Sequence, residues 1–150
     1  MWTLLLWACA SEPAPVGEVT GRTYTAAQLG ARITFPEGWQ LALGPKHFRA
    51  GLPGTLLEAR HGELVAVLTF HAVPSVLERA SALDLLPIFH PTGTPERFER
   101  LPDCDGAMLR QVGEWTHVAQ RTRTGLIEWQ AFGAEPDALI ALVCEHTEVE

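Results

Sequence analysis

The chain has a single lysine, Lys46, and its ten arginines are scattered from Arg22 to Arg123. With 11 basic residues against 18 acidic ones the formal charge is −7, so no basic stripe is available to neutralise phosphates or coat an anionic bilayer. Nucleic acid is not an expected partner. No apolar run comes near the roughly 18 residues of a spanning helix, so any membrane attachment must be by other means. Also missing are His-Glu-x-x-His, His-x-His, Cys-x-x-Cys, Gly-x-Ser-x-Gly, Gly-x-Gly-x-x-Gly and the phosphate loop with its Gly-Lys-Ser/Thr. Local sequence therefore supports no metal, cofactor, nucleophile or nucleotide site. What is present is 47% hydrophobic and 19% charged residues over 150 positions, the balance of one folded domain rather than of a disordered chain.

The sharpest change of composition comes first. Met1-Trp2-Thr3-Leu4-Leu5-Leu6-Trp7-Ala8-Cys9 gives way at once to Ala10-Ser11-Glu12-Pro13-Ala14-Pro15. A short apolar run that ends in a small residue before a cysteine, with a polar tether after it, is how processed and anchored exported chains begin. Residues 1–8 read as a signal-like segment, and 9–22, rich in Ala, Pro, Glu and Gly, as a tether. The start resembles a bacterial lipoprotein signal, with Leu6, Ala8 and Cys9 on the pattern, and Trp7 and the missing basic residue off it. A start placed too far downstream would account for the missing basic residue. The resemblance implies lipidation of Cys9, a membrane contact through the lipid alone and, with Ala10 after the cysteine, an outer-membrane site facing the periplasm. If Cys9 is lipidated, Cys104 and Cys144 remain as a pair able to close a disulfide in an oxidising compartment, with two buried thiols as the alternative.

From about residue 23 to 150 the pattern is that of one α+β domain. Ala31, Ile33 and Phe35 alternate with Arg32 and Thr34, a half-buried strand that stops at Pro36-Glu37-Gly38. Leu64 to Val73 is apolar enough to predict a central strand buried on both faces. Ser75 and Glu78 form a capping box that predicts a helix over Ser75–Leu86, ending at Pro87. Strands follow at Phe98–Leu101, Ala107–Val112, Trp115–Arg123 and Leu126–Phe132, with a last strand predicted at Ala138–Cys144. The expected architecture is an antiparallel sheet of about six to seven strands with one main helix packed on it.

The stretch Ala31-Arg32-Ile33-Thr34-Phe35-Pro36-Glu37-Gly38-Trp39 is similar to the opening strand and turn of proteins with the PsbP/Mog-type fold. That resemblance implies an α+β sandwich and an extrinsic accessory or binding role. It also implies a terminal helix packed on the sheet, for which Glu145 to Glu150 alone would be too short.

Six histidines, at positions 47, 61, 71, 90, 117 and 146, are the candidates for a metal or a general base. None has ligand spacing, so a site would need convergence in space. His71 and His117 fall on predicted strands and read as hydrogen-bonded core or edge residues, while His47 and His61 fall in turns. His90, between Pro87 and Pro91, could act with Asp103 and Asp105. Trp115, following Gly113-Glu114, is expected to be partly exposed, and with Phe89, His90, Arg121 or Arg123 it could line a groove for a partner. Trp39 and Trp129 read as core.

Three functions compete on this reading. The leading one is a non-enzymatic, lipid-anchored envelope protein that binds another envelope component. The second is a small metal-dependent or acid/base hydrolase using His90, Asp103 and Asp105. The third is a carrier of a small apolar ligand, which requires a cavity under the helix at Ser75–Leu86.

Overall fold

A computed structural model describes residues 16–44, 55–104, 106–133 and 136–149. The signal-like segment, Cys9, His47 and Asp105 lie outside them. In chain order the strands are β1 (Glu18–Thr20), β2 (Thr23–Ala26), β3 (Ala31–Thr34), β4 (Gln40–Leu43), β5 (Thr55–His61) and β6 (Leu64–Ala72). Helix α1 (Ala82–Phe89) follows, then β7 (Arg97–Arg100), β8 (Met108–Val112), β9 (Trp115–Arg121) and β10 (Gly125–Phe132), and finally helix α2 (Asp137–His146) and β11 (Thr147–Val149). A seven-stranded antiparallel sheet has the order β4-β5-β6-β10-β9-β8-β7, and a separate four-stranded one the order β1-β2-β3-β11. The α+β class and the expected antiparallel sheet of six to seven strands hold, and among the described residues a four-stranded sheet and a second helix are added to them.

Alternation along β10 assigns the two faces of the large sheet. Ile127, Trp129 and Ala131 point into the main core with Leu57, Leu68, Val118, Tyr24, Ile33 and the α2 residues Leu139, Leu142 and Val143. Leu126 points the other way and packs under α1 with Ala82, Leu85, Leu86, Met108 and Ala119. The small sheet and α2 thus cover one face, and α1 covers part of the other.

That partial cover is a matter of length. Eight helical residues reach about 12 Å at 1.5 Å per residue, whereas the nine residues of β6 run about 30 Å. The far half of the α1 face is left open, and Val65, expected to be buried on a central strand, is exposed there.

Three elements differ from expectation for identifiable reasons. Ser75 caps no α-helix; Ser75–Leu77 is a single 3-10 turn with Pro74 ahead of it. The helix starts six residues later, at Ser81, whose hydroxyl accepts from the Asp84 amide while the Asp84 carboxylate accepts from the Ser81 amide, a second capping box that satisfies more of the first turn. Pro87 does not end α1, which closes one turn later with His90 N–H donating to the Leu86 carbonyl at 2.8 Å. Ala138–Cys144, expected as a strand, lies within α2. A continuous apolar run gives no period to separate the two states; the buried residues Leu139, Leu142 and Val143 are spaced three and four apart, the mark of one helical face.

Strand β1 lies within residues 9–22, the stretch that reads as tether. It pairs with β2, and Tyr24 donates its hydroxyl to the Val16 carbonyl at 2.8 Å. Cys104, ahead of β8, is joined by a disulfide to Cys144 on α2, with the Cα atoms 4.8 Å apart and a sequence separation of 40.

Candidate functional site

Strand register builds the site. On β10, Glu128 sits opposite Thr69 of β6 and opposite Ala119 of β9. His71 is two residues along β6 from Thr69, and His117 two residues along β9 from Ala119, so both are diagonal neighbours of Glu128 on the α1 face, within reach of long side chains. His90 arrives from a third element, immediately after α1.

All three imidazoles converge on one carboxylate. His117 Nδ1 lies 2.6 Å from Glu128 Oε1, His90 Nε2 lies 2.6 Å from the same oxygen, and His71 Nε2 lies 3.1 Å from Oε2. The Glu128 side chain has no exposed surface, that of His117 is 7% exposed, and those of His71 and His90 are 18% and 20% exposed. The cluster is therefore closed at the glutamate and open at two histidines. Phe89 stacks on the His71 ring with centroids 4.3 Å apart, and the His90 and His117 rings are 4.4 Å apart. Buried Arg110, paired with His117 across β8 and β9, donates to the carbonyls of Thr92 at 2.9 Å and His90 at 3.4 Å, which fixes the loop that carries His90.

Burial alone would push the Glu128 carboxyl up. The hydrogen bonds from His117, His71 and His90, together with the charge on His90, outweigh that and hold it well below the usual carboxylate range. The surroundings of Glu128 in the interior of the sheet layer thus favour its ionised form. Nε2 of His71, Nε2 of His90 and a Glu128 oxygen lie within 4.8 Å of one another, the kind of donor set that can hold a metal ion. Sequence spacing gives no sign of this, because the donors come from two strands and a loop.

Beyond the cluster the same face opens into a groove of about 450 Å³ lined by Val65, Val67, Thr69, Trp115, Gln130 and Phe132 among others. Trp115 and Phe132, 48% and 57% exposed, stack edge to face with centroids 5.1 Å apart.

The residues singled out from the sequence are thus divided. Phe89 and His90 enter the histidine cluster, and Trp115 lies at the open end of its face. Arg121 is at the opposite end of β9 and donates to the carbonyls of Gly125 and Glu78, each at 2.9 Å. Arg123 is exposed in the turn between β9 and β10. The five do not line one groove. Asp103 lies beside Cys104, Gln120, Val143 and Cys144 on the α2 side of the sheet, the opposite side from His90, so the structure does not join His90 to Asp103. Ala82, Leu85 and Leu86 are fully buried directly against Met108, Ala119 and Leu126, which removes the cavity that a ligand carrier would need under the helix. Trp129 is core, and Trp39 packs part-buried against Phe35 and His61.

Glu128 belongs to no motif; alternation alone places it on a face with Leu126 and Gln130 in the middle of a strand whose other face is Ile127 and Trp129, a position where a carboxylate needs partners.

No family model and no curated protein matches the chain. Among solved structures it is similar to the solution structure of cyanobacterial PsbP (CyanoP) from Synechocystis sp. PCC 6803, with a TM-score of 0.54 over 91% of this chain and 100% of that one. The fold is PsbP-like. Identity along the match is 17%, so the likeness concerns the course of the backbone. The PsbP-like fold also accounts for α2: the terminal helix implied by the Ala31 to Trp39 resemblance is present, built from the segment that reads as a strand.

Proposed function

We propose that the chain is a lipid-anchored, extracytoplasmic binding module that acts as an accessory protein of the cell envelope without catalysing a reaction. The observation that carries this reading is the closed Cys104–Cys144 pair. A structural disulfide belongs to an oxidising compartment, and with two of the three cysteines joined, Cys9 is the odd thiol, at the position where a lipoprotein signal places its acylated cysteine. Among the described residues no helix is long and apolar enough to cross a membrane, so the lipid is the attachment. The surface offered to an envelope protein partner is the open half of the α1 face, where Trp115 and Phe132 provide large, rigid aromatic area next to polar Gln130 and Thr69. The PsbP-like fold supports the accessory role by analogy of architecture.

Metabolic labelling with an alkyne palmitate tests the anchor, comparing the chain expressed from its native upstream sequence with its Cys9→Ala variant. Label that disappears in the variant supports the proposal. Absence of label from both chains overturns the anchoring.

A further inference from the structure

The Glu128 carboxyl group has no exposed surface, and among the described residues its partners are imidazoles only. The Arg110 guanidinium on the same face is turned to two backbone carbonyls instead. A buried carboxylate with no permanent cation beside it is costly, and a bound cation is one of the ways proteins meet that cost.

We propose that His71, His90 and Glu128 form a binding site for one divalent transition-metal cation of the Zn(II) class, coordinated by Nε2 of each imidazole and one carboxylate oxygen. Imidazole nitrogen and carboxylate oxygen are the donors such ions take when no thiolate is present. Metal–donor distances of about 2.0–2.2 Å place tetrahedral donors about 3.4 Å apart, so the His90 Nε2–Glu128 Oε1 pair, at 2.6 Å, must open while the widest pair of the set, now within 4.8 Å, draws in. The two part-exposed rings are the ones free to make that move. His117 holds Oε1 from Nδ1 at 2.6 Å, which orients the carboxylate from behind, as outer partners of metal ligands do. Phe89 fixes the plane of the His71 ring, and Arg110 fixes the backbone carrying His90. Three protein donors leave a fourth position for water on the exposed side. Coordination uses the Nε2 lone pairs, so each ligating ring keeps its proton on Nδ1, and any proton held between Nε2 and the carboxylate is released to solvent.

The test is calorimetric titration of Zn(II) alone into the chelator-stripped chain, in two buffers of different ionisation enthalpy, with Co(II) absorption as a second readout. The expected result is one ion per chain, proton release, and visible Co(II) bands. His117→Gln weakens binding by about 10–100-fold, and His71→Gln and His90→Gln each weaken it further, with circular dichroism confirming that each variant is folded. His61→Gln, an exposed ring resting on Trp39, leaves it unchanged. Absence of stoichiometric binding overturns the proposal. So does binding that His71→Gln leaves intact, because that assigns the ion to other ligands; His71 is part-exposed, and this variant decides the matter if the others fail to fold.

Discussion

His117 Nδ1 and Glu128 Oε1 stand 2.6 Å apart in a place where the glutamate side chain has no contact with solvent and the histidine almost none. The pair joins the two central strands β9 and β10 on their α1 face, and His71 and His90 close around it. Removing one partner leaves the other without its compensation, so His117→Phe is expected to lower stability by about 2–3 kcal/mol, the scale of a hydrogen bond to a charged group. His71→Ala, at a part-exposed position where water can replace the ring, should cost less. Urea denaturation of the two variants checks the order; equal losses would contradict it.

The depressed carboxyl of Glu128 gives its contribution a definite direction with pH. A carboxyl whose folded value lies below its unfolded value, 4.5, stabilises fully above 4.5 and loses that contribution as pH falls through the folded value. His71 on β6, His117 on β9 and His90 after α1 are the titratable groups facing it. In metal-free buffer the stability difference between the wild type and Glu128→Gln should therefore narrow as pH falls below 4.5. Parallel urea midpoints across that range would show that the folded state does not favour the ionised form.

The Cys104–Cys144 bond closes a loop of 40 residues, for which loop-closure entropy gives about 4 kcal/mol. The double variant Cys104→Ala/Cys144→Ala should lose most of that and should still carry the α2 core contacts of Leu139, Leu142 and Val143. Denaturation of the oxidised and variant chains measures it, and a loss below about 1 kcal/mol would mean that the bridge distorts the folded state as much as it restrains the unfolded one.

The two serines near α1 separate real capping from apparent capping. Ser81 exchanges hydrogen bonds with Asp84, whereas Ser75 makes no side-chain cap bond. Ser81→Ala is expected to cost about 1 kcal/mol and Ser75→Ala much less, by thermal or urea unfolding. The reverse order would restore the longer helix that the Ser75 and Glu78 pattern suggests.

These serines also show where sequence and structure part. Alternation at Ala31, Ile33 and Phe35 suffices to define β3, and glycine suffices to mark the turn at Gly62, whose φ is +61°. The Ser75 and Glu78 pattern marks a cap six residues ahead of the one the fold uses, because the helix is set by Leu85 and Leu86, which pack only once β9 and β10 lie beneath them. Ala138–Cys144 is apolar at every position, so its helical state follows from which residues meet the core. The histidine cluster is the extreme case. His71, His90, His117 and Glu128 span 58 positions from first to last, and what joins them is the pairing of β6 with β10 and of β10 with β9, a property of register that no local spacing encodes.

The direct test of the cluster is to follow the side-chain carboxyl carbon of Glu128 by NMR in the metal-free chain as the solution is acidified from neutral pH to about 3. Three imidazoles that outweigh burial should keep Glu128 at its ionised shift while solvent-exposed carboxylates protonate. Protonation of Glu128 within or above the ordinary carboxylate range would contradict this, and would mean that burial, not the histidines, sets the state of the site.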